Sequence, residues 1–287
     1  MDLFGGLAIS GNLLAVASTD ARGRIFLFDL SDERLASSWS WSAEDGGPSD
    51  AGGVAFDAAY NIYVADTRCD LVRAFSPFGM PVRSFGQPHE REQGAVARDQ
   101  RGRLDRPHAV AVLDDTLFVA CGDRWLVRGV QRFGLDGTPG APLRSFGEVD
   151  GRFGAPRGLW ADARTVLVAD TQHGVIQRFR PDGSYVARVP TARTPDAQSR
   201  PLAVLPHGEA LLCADGGDEP GLELVLPAGG FRRVPASAEL RDPSGLARDD
   251  RGRVFVLDRD GERVVRLTAE LAFDKVFVDL REVGFGE

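Results

Sequence analysis

Gly158-Leu159-Trp160-Ala161-Asp162, followed by Val166-Leu167-Val168-Ala169-Asp170, is the stretch from which the rest of the chain is read. Each half is a short apolar run of strand-favouring residues, a few polar residues link them, and the second run closes on an aspartate; this is the pattern of two paired strands. The pattern recurs on both sides. Gly53-Val54-Ala55-Phe56-Asp57 leads to Ile62-Tyr63-Val64-Ala65-Asp66, and Gly245-Leu246-Ala247-Arg248-Asp249 leads to Val254-Phe255-Val256-Leu257-Asp258. Fainter copies run from Leu7 to Ser18, Ala109 to Cys121 and Ala203 to Asp215. The closing residues Ser18, Asp66, Cys121, Asp170, Asp215 and Asp258 stand 43 to 55 residues apart, and their mean period of about 48 divides 287 residues into six.

Each pair is followed by a third apolar run: Ile25 to Phe28, Leu71 to Phe75, Val127 to Phe133, Val175 to Phe179, Leu222 to Val225 and Arg263 to Leu267. Turn formers come next, as in Ser76-Pro77-Phe78-Gly79, Leu135-Asp136-Gly137 and Pro181-Asp182-Gly183. A fourth strand ends several repeats, most clearly at Val82 to Gly86 and Leu143 to Gly147. A four-stranded sheet cannot bury both faces alone, and radial stacking of six such sheets about an axis solves this. The expected fold is an all-β six-bladed β-propeller of four-stranded antiparallel blades. It forms one domain over 1–287, with blades near 1–46, 47–90, 103–150, 151–194, 195–238 and 239–287. A β-sandwich of many short strands would not require such a period.

Composition narrows the function classes. The chain is 43% hydrophobic and 26% charged, as a packed globular protein is. No apolar run reaches a membrane-span length, and Met1-Asp2-Leu3 has no basic signal-like start, so the expected location is the cytoplasm with no membrane partner. Cys69, Cys121 and Cys213 are scattered, giving neither a disulfide framework nor a cysteine zinc site. Lys275 is the only lysine among 34 basic residues, a habit expected of a GC-rich genome. The formal charge of −8 argues against a nucleic-acid partner.

The stretch Ser145-Phe146-Gly147-Glu148-Val149-Asp150-Gly151-Arg152-Phe153-Gly154-Ala155-Pro156-Arg157-Gly158-Leu159, with Val168-Ala169-Asp170-Thr171-Gln172-His173-Gly174-Val175-Ile176-Gln177-Arg178-Phe179, resembles the NHL repeat. The resemblance is strongest in blades two and four and weakest in one and five. It implies a scaffold rather than a reaction.

In such a scaffold the first strand of each blade lines the channel and starts at the top face. Alignment on Pro107-His108-Ala109 places Gly5, Gly52, His108, Arg157, Leu202 and Ser244 just ahead of the first strands, at the channel mouth. Loops after the second strands add Arg68, Asp123, Arg124, Trp125, His173 and Arg259 to the top face. The long segment Gln87 to Arg106 joins blades two and three beside His108, as a lid or as a solvated insertion, and Thr191 to Arg200 is a shorter counterpart. Leu271 to Leu280 can supply blade six with its own outer strand, so blades one and six are expected to meet by side-chain packing.

Enzyme readings are tested by the ligands they require. The related amidating lyases hold zinc with several imidazoles at the channel mouth, and only His108 occupies such a position. His89 falls in the insertion, His173 follows a second strand, and His207 belongs to a turn on the opposite face. A calcium-dependent lactonase needs converging oxygen ligands, yet Asn12 and Asn61 are the only asparagines and sit in bottom turns. Asp66, Asp170, Asp215 and Asp258 either form an all-carboxylate site or accept amide hydrogens of the following turn. A Ser244–His108–Asp123 triad would join different blades. Some animal NHL propellers bind RNA through a basic top face, but this one mixes Arg68, Arg124, Arg157 and Arg259 with Asp20, Asp123, Asp218 and Asp260. The reading that remains is a non-enzymatic scaffold, with no cofactor or metal, binding a protein or peptide through His108, Arg157, Arg68, Asp123, Arg124, Trp125, His173, Ser244 and Arg259. A hydrolase or lyase using a channel-bound cation is the alternative.

Overall fold

A computed structural model describes residues 4–18, 23–41, 50–86, 101–122, 129–143, 151, 153–191 and 198–283. Blade one pairs β1 (Phe4–Ser10), β2 (Leu13–Ser18), β3 (Arg24–Asp29) and β4 (Arg34–Ser40). Blade two pairs β5 (Ala51–Phe56), β6 (Ile62–Asp66), β7 (Leu71–Phe75) and β8 (Pro81–Phe85), and blade three β9 (Pro107–Leu113), β10 (Thr116–Cys121) and β11 (Gly129–Gly134). Blade four contains β12 (Pro156–Ala161), β13 (Val166–Asp170), β14 (Val175–Phe179) and β15 (Tyr185–Pro190). Blade five contains β16 (Pro201–His207), β17 (Ala210–Asp215), β18 (Gly221–Val225) and β19 (Phe231–Arg233). Blade six contains β20 (Pro243–Arg248), β21 (Val254–Asp258), β22 (Arg263–Leu267) and β23 (Phe273–Asp279), and a short helix α1 (Leu280–Val283) follows.

Chain order equals spatial order in every sheet, so neighbours are antiparallel hairpins and the protein is an all-β six-bladed propeller. In blade three, residues 139–143 take the fourth position. Phe133 bridges Pro139, the Gly140 amide donates to the Arg132 carbonyl at 2.8 Å, and the Leu143 amide donates to the Val130 carbonyl at 2.9 Å. The fourth strand expected from Leu143 to Gly147 therefore starts earlier, and 144–147 lie outside the described residues. No helix among the described residues is long and apolar enough to cross a membrane.

Burial explains why the second strands read as unbroken apolar runs. β6, β13 and β21 are buried at every position because a neighbouring blade covers each face, whereas the outer strand β8 is exposed except at Phe85. Six apolar clusters fill the six interfaces between blades. Tyr63, Phe85 and Phe133 join blades two and three, and Phe118, Phe153 and Phe179 join three and four. Close approach of the inner strands requires glycine: a Cβ on Gly5 would lie 1.8 Å from the Ala51 carbonyl oxygen, and one on Gly158 would lie 2.4 Å from that of Leu202.

The first strands touch in the ring β1–β5–β9–β12–β16–β20 and back to β1. As expected, β23 is blade six's own outer strand and the ring closes by packing. Leu14, Phe26 and Phe28 of blade one meet Phe255, Leu257 and Val264 of blade six. Glu33 of blade one adds a charged clasp, accepting from Arg266 at 2.5 Å and from Lys275.

Candidate functional site

The mouth of the channel is built from six equivalent irregularities. Where each first strand begins to pair with the second, the register slips by one residue. Pro107 faces Cys121 while Ala109 faces Ala120, leaving His108 as the extra residue. Arg157 is left over in the same way between Pro156 and Gly158, Leu202 between Pro201 and Ala203, Ser244 between Pro243 and Gly245, and Gly5 between Phe4 and Gly6. In blade two, Gly52 and Gly53 together face Ala65. Such a β-bulge bends the strand and re-aims the extra side chain. The expectation that these six residues precede the first strands is therefore corrected: each is the strand's second residue. A proline lacks the ladder amide but is tolerated at a strand's first position, so Pro107, Pro156, Pro201 and Pro243 begin pairing two residues earlier than the apolar pattern indicates.

Carboxylates at the ends of the second strands fix the approach to the bulges of blades four, five and six. Buried Asp170 accepts the amides of Gly154 and Ala155 at 3.0 Å, Gln177 Nε2 at 2.9 Å and His173 Nδ1 at 2.8 Å. Asp258 accepts the amides of Arg241 and Asp242 and the Nε of Arg263, each at 2.9 Å. Asp215 accepts the Arg200 amide at 2.8 Å, the Gly217 amide at 2.7 Å and the Ser199 hydroxyl. Asp66 takes Arg73 Nε at 2.7 Å and Trp41 Nε1 at 3.2 Å.

The amides were expected from the following turn. Among the described residues, Gly217 and, at 3.4 Å, Cys69 donate from there; the Gly154, Ala155, Arg200, Arg241 and Asp242 amides precede the first strand. The cause is register: Asp170 lies directly across the ladder from Pro156, which brings the amides just upstream of that proline to its carboxylate. In blade three Cys121 stands in this position, its thiol pushed up to about 12 by burial, with the Asp105 amide facing it. These carboxylates are thus held inside their blades and do not form a channel site. Among the described residues no group of three or more His, Cys, Asp and Glu is placed to hold a metal ion.

A second repeated bond closes the top corners of blades two, four, five and six. The amides of Thr67, Thr171, Gly216 and Arg259 donate to the carbonyls of Asp50, Ala155, Arg200 and Asp242, at 2.8 to 3.1 Å. Thr67 and Thr171 also send their hydroxyls 2.6 Å to the Pro107 and Pro201 carbonyls of the next blade. Adjacent bulges are thereby held in fixed relation.

On this frame the structure brings His108 and Arg157 together, with Arg157 Nη1 3.1 Å from His108 Nδ1. A guanidinium only donates, so His108 Nδ1 is the acceptor and the neutral ring carries its proton on Nε2. Half-buried Asp50 lies in the same field. Burial pushes its carboxyl up and the neighbouring Asp66 adds to this, while Arg106, Arg68 and, when protonated, His108 pull it down. Arg106 occupies a left-handed backbone conformation with φ of 47°, and its amide is held by the Asp70 carboxylate at 2.7 Å.

The remaining top-face candidates are distributed. His173 is turned into its own blade toward Asp170, Arg259 pairs with Asp242 at 2.6 Å, and Ser244 Oγ approaches the Leu257 carbonyl at 3.5 Å. Asp123, Arg124, Trp125, residues 87–100 and residues 192–197 lie outside the described residues. Asp50 was missed by sequence reasoning, and Arg106 was seen only as the end of a long loop. Both immediately precede a first strand, a position that alignment on the following residues could have shown.

No protein-family profile and no curated protein matches the chain. Solved structures share its fold. Streptogramin B lyase is 13% identical with a TM-score of 0.62, over 96% of this chain and 83% of that one. A catalytically inactive virginiamycin B lyase from Staphylococcus aureus, with quinupristin, is 11% identical with a TM-score of 0.63, over 96% and 84%. The structure of a nidogen/laminin complex aligns at 14% identity and a TM-score of 0.60, over 90% and 89%. At these identities the likeness is one of fold, and the fold serves both lyases and a protein found in complex with another protein.

Proposed function

We propose that this propeller is a non-enzymatic binding module whose top face grips an acidic segment of a protein or peptide, with His108 and Arg157 at the centre of the contact. The observation that carries the reading is the 3.1 Å contact between Arg157 and His108, which joins the bulges of two blades. It orients a guanidinium at the mouth through a partner that, when neutral, cancels none of its charge. Arg68 and Arg106 act on the same spot, as their pull on Asp50 indicates. Planar guanidinium groups suit carboxylates because they offer paired donors. The nidogen/laminin complex is a precedent for a propeller of this kind engaging a protein.

The competing reading, a channel cation serving a hydrolase or lyase, needs imidazole or oxygen donors to converge. The strand-end aspartates are instead engaged by amides and side chains of their own blades.

The test is selection of short random peptides on the wild-type protein, followed by affinity measurement on Arg157→Ala and His108→Ala. Peptides rich in Asp and Glu should be enriched. Both variants should melt as wild type does and bind those peptides about tenfold more weakly or worse, the scale of one lost charge-assisted hydrogen bond. Enriched peptides that bind the variants as tightly as wild type would place the contact elsewhere. Dialysis against a chelator should leave both the melting temperature and peptide affinity unchanged; a fall in either would restore the cation reading.

A further inference from the structure

His108 and Arg157 reach each other from neighbouring blades, each as the extra residue of its bulge, and both are half-buried, so solvent and a ligand have access to the pair. Nε2 of His108 is enclosed by protein, and the ring turns its Nδ1 edge to Arg157. The 3.1 Å contact requires an unprotonated Nδ1, because a guanidinium has no acceptor to offer. A further proton on the ring goes to Nδ1, where it sets two donors and two positive charges face to face. The imidazolium and the contact therefore exclude each other.

Among the described residues, the charged groups around this pair come from three blades. Asp50 precedes β5, Asp66 ends β6 with Arg68 just beyond it, Arg106 precedes β9, and Arg157 lies on β12. Most of the nearby carboxylates are engaged elsewhere. Asp66 takes Arg73 Nε at 2.7 Å, Asp70 holds the Arg106 amide at 2.7 Å, and Asp105 is buried beside Cys121. In blade four, His173 turns away to Asp170. Asp50 is the carboxylate that shares a field with His108.

We propose that His108 is a proton switch for the mouth: neutral, it holds Arg157 in a closed pair; protonated, it gives up that bond and joins Arg157 in bracketing one carboxylate of the bound segment. The switch rests on the top-face reading given above and adds its regulation. A carboxylate has two oxygens, each able to accept from a cation, so it can replace the direct contact and satisfy both donors. The two bulges fix where the side chains start, which keeps them close enough to share it. By linkage, a bound carboxylate favours the proton on His108, and affinity rises as pH falls through that titration. Asp50 acts with the same sign: burial pushes its carboxyl up, so its negative charge fades at a higher pH than that of an exposed aspartate.

The first measurement needs no ligand. Ring resonances of the four histidines, with His108 assigned through His108→Gln, are titrated in wild type and in Arg157→Ala. Loss of the guanidinium should move the His108 midpoint upward, because the bond that requires the neutral ring is gone. An unmoved or lowered midpoint overturns the closed pair, whatever the ligand. The second measurement is the affinity of a capped hexa-aspartate peptide between about pH 5.5 and 8, where its carboxylates stay ionised, at constant ionic strength. Wild type should bind about tenfold more tightly at the acid end, the worth of one added charge-assisted hydrogen bond, and His108→Gln should lose that rise. If His108→Gln does not fold, His108→Asn takes its place. A rise that survives without the imidazole overturns the proposal. Binding that needs Arg157 but ignores pH overturns the switch and leaves the top-face reading standing, whereas no binding at any pH overturns both.

Discussion

Fully buried Asp170 receives amides from Gly154 and Ala155, the buried Gln177 amide nitrogen and the partly exposed His173 ring. Removing one acceptor therefore strands several buried donors. Asp170→Ala should cost about 3 kcal/mol or more in urea unfolding, because each stranded buried group costs roughly 1–3 kcal/mol. A loss below about 1 kcal/mol would show that water replaces the carboxylate. His173→Ala, which removes one donor and leaves the acceptor satisfied by the others, should cost distinctly less. At this scale the sequence displayed the carboxylates through their recurrence but not their donors. The backbone amide donors of Asp170 lie about sixteen residues upstream and arrive through strand register, which spacing alone does not reveal. The same limit applied to His108 and Arg157: the alignment put both at the mouth, while their contact depends on bulges in two neighbouring blades.

Inner strands are the elements under the tightest steric constraint. Gly158 sits where a Cβ would meet the Leu202 carbonyl oxygen at 2.4 Å, so Gly158→Ala forces two backbones apart and should destabilise by about 1–3 kcal/mol, the scale of overpacking. Gly208→Ala is the informative control. Gly208 has a φ of 59° and nothing within 4 Å, so its cost is confined to backbone preference, about 1 kcal/mol. Equal costs in denaturant titration would mean that blade four yields at this contact. Second and third strands were legible because covered faces on both sides demand unbroken apolar runs. First-strand starts were less so, since a proline followed by a bulge residue breaks the apolar pattern while the pairing continues. The start of blade three's outer strand was read too late for a related reason: pairing begins among Pro139, Gly140 and Ala141, which carry little strand propensity.

For the molecule as a whole, six sheets stacked in a ring leave one seam that chain connectivity does not reinforce. Period and turn chemistry announced the ring, and the apolar run ending near Leu280 announced that blade six would complete itself. The clasp at the seam was not legible, because Glu33 and Lys275 are 242 residues apart in sequence. Bonds from Lys275 and Arg266 hold the Glu33 carboxyl below its ordinary value of 4.5. The unfolded chain therefore takes up this proton at higher pH than the folded one does. The clasp's contribution is complete above pH 4.5 and is lost as pH falls through the lowered folded value. Urea midpoints of wild type should decline more steeply below pH 4.5 than those of Glu33→Gln, and parallel curves would show that the clasp adds nothing. Lys275 also carries the chain's only side-chain amine, so its chemistry is addressable without any substitution. An amine-reactive fluorophore or crosslinker would install a single side-chain reporter on the one junction where the ring can open, turning an accident of composition into a gauge of how the circle breathes.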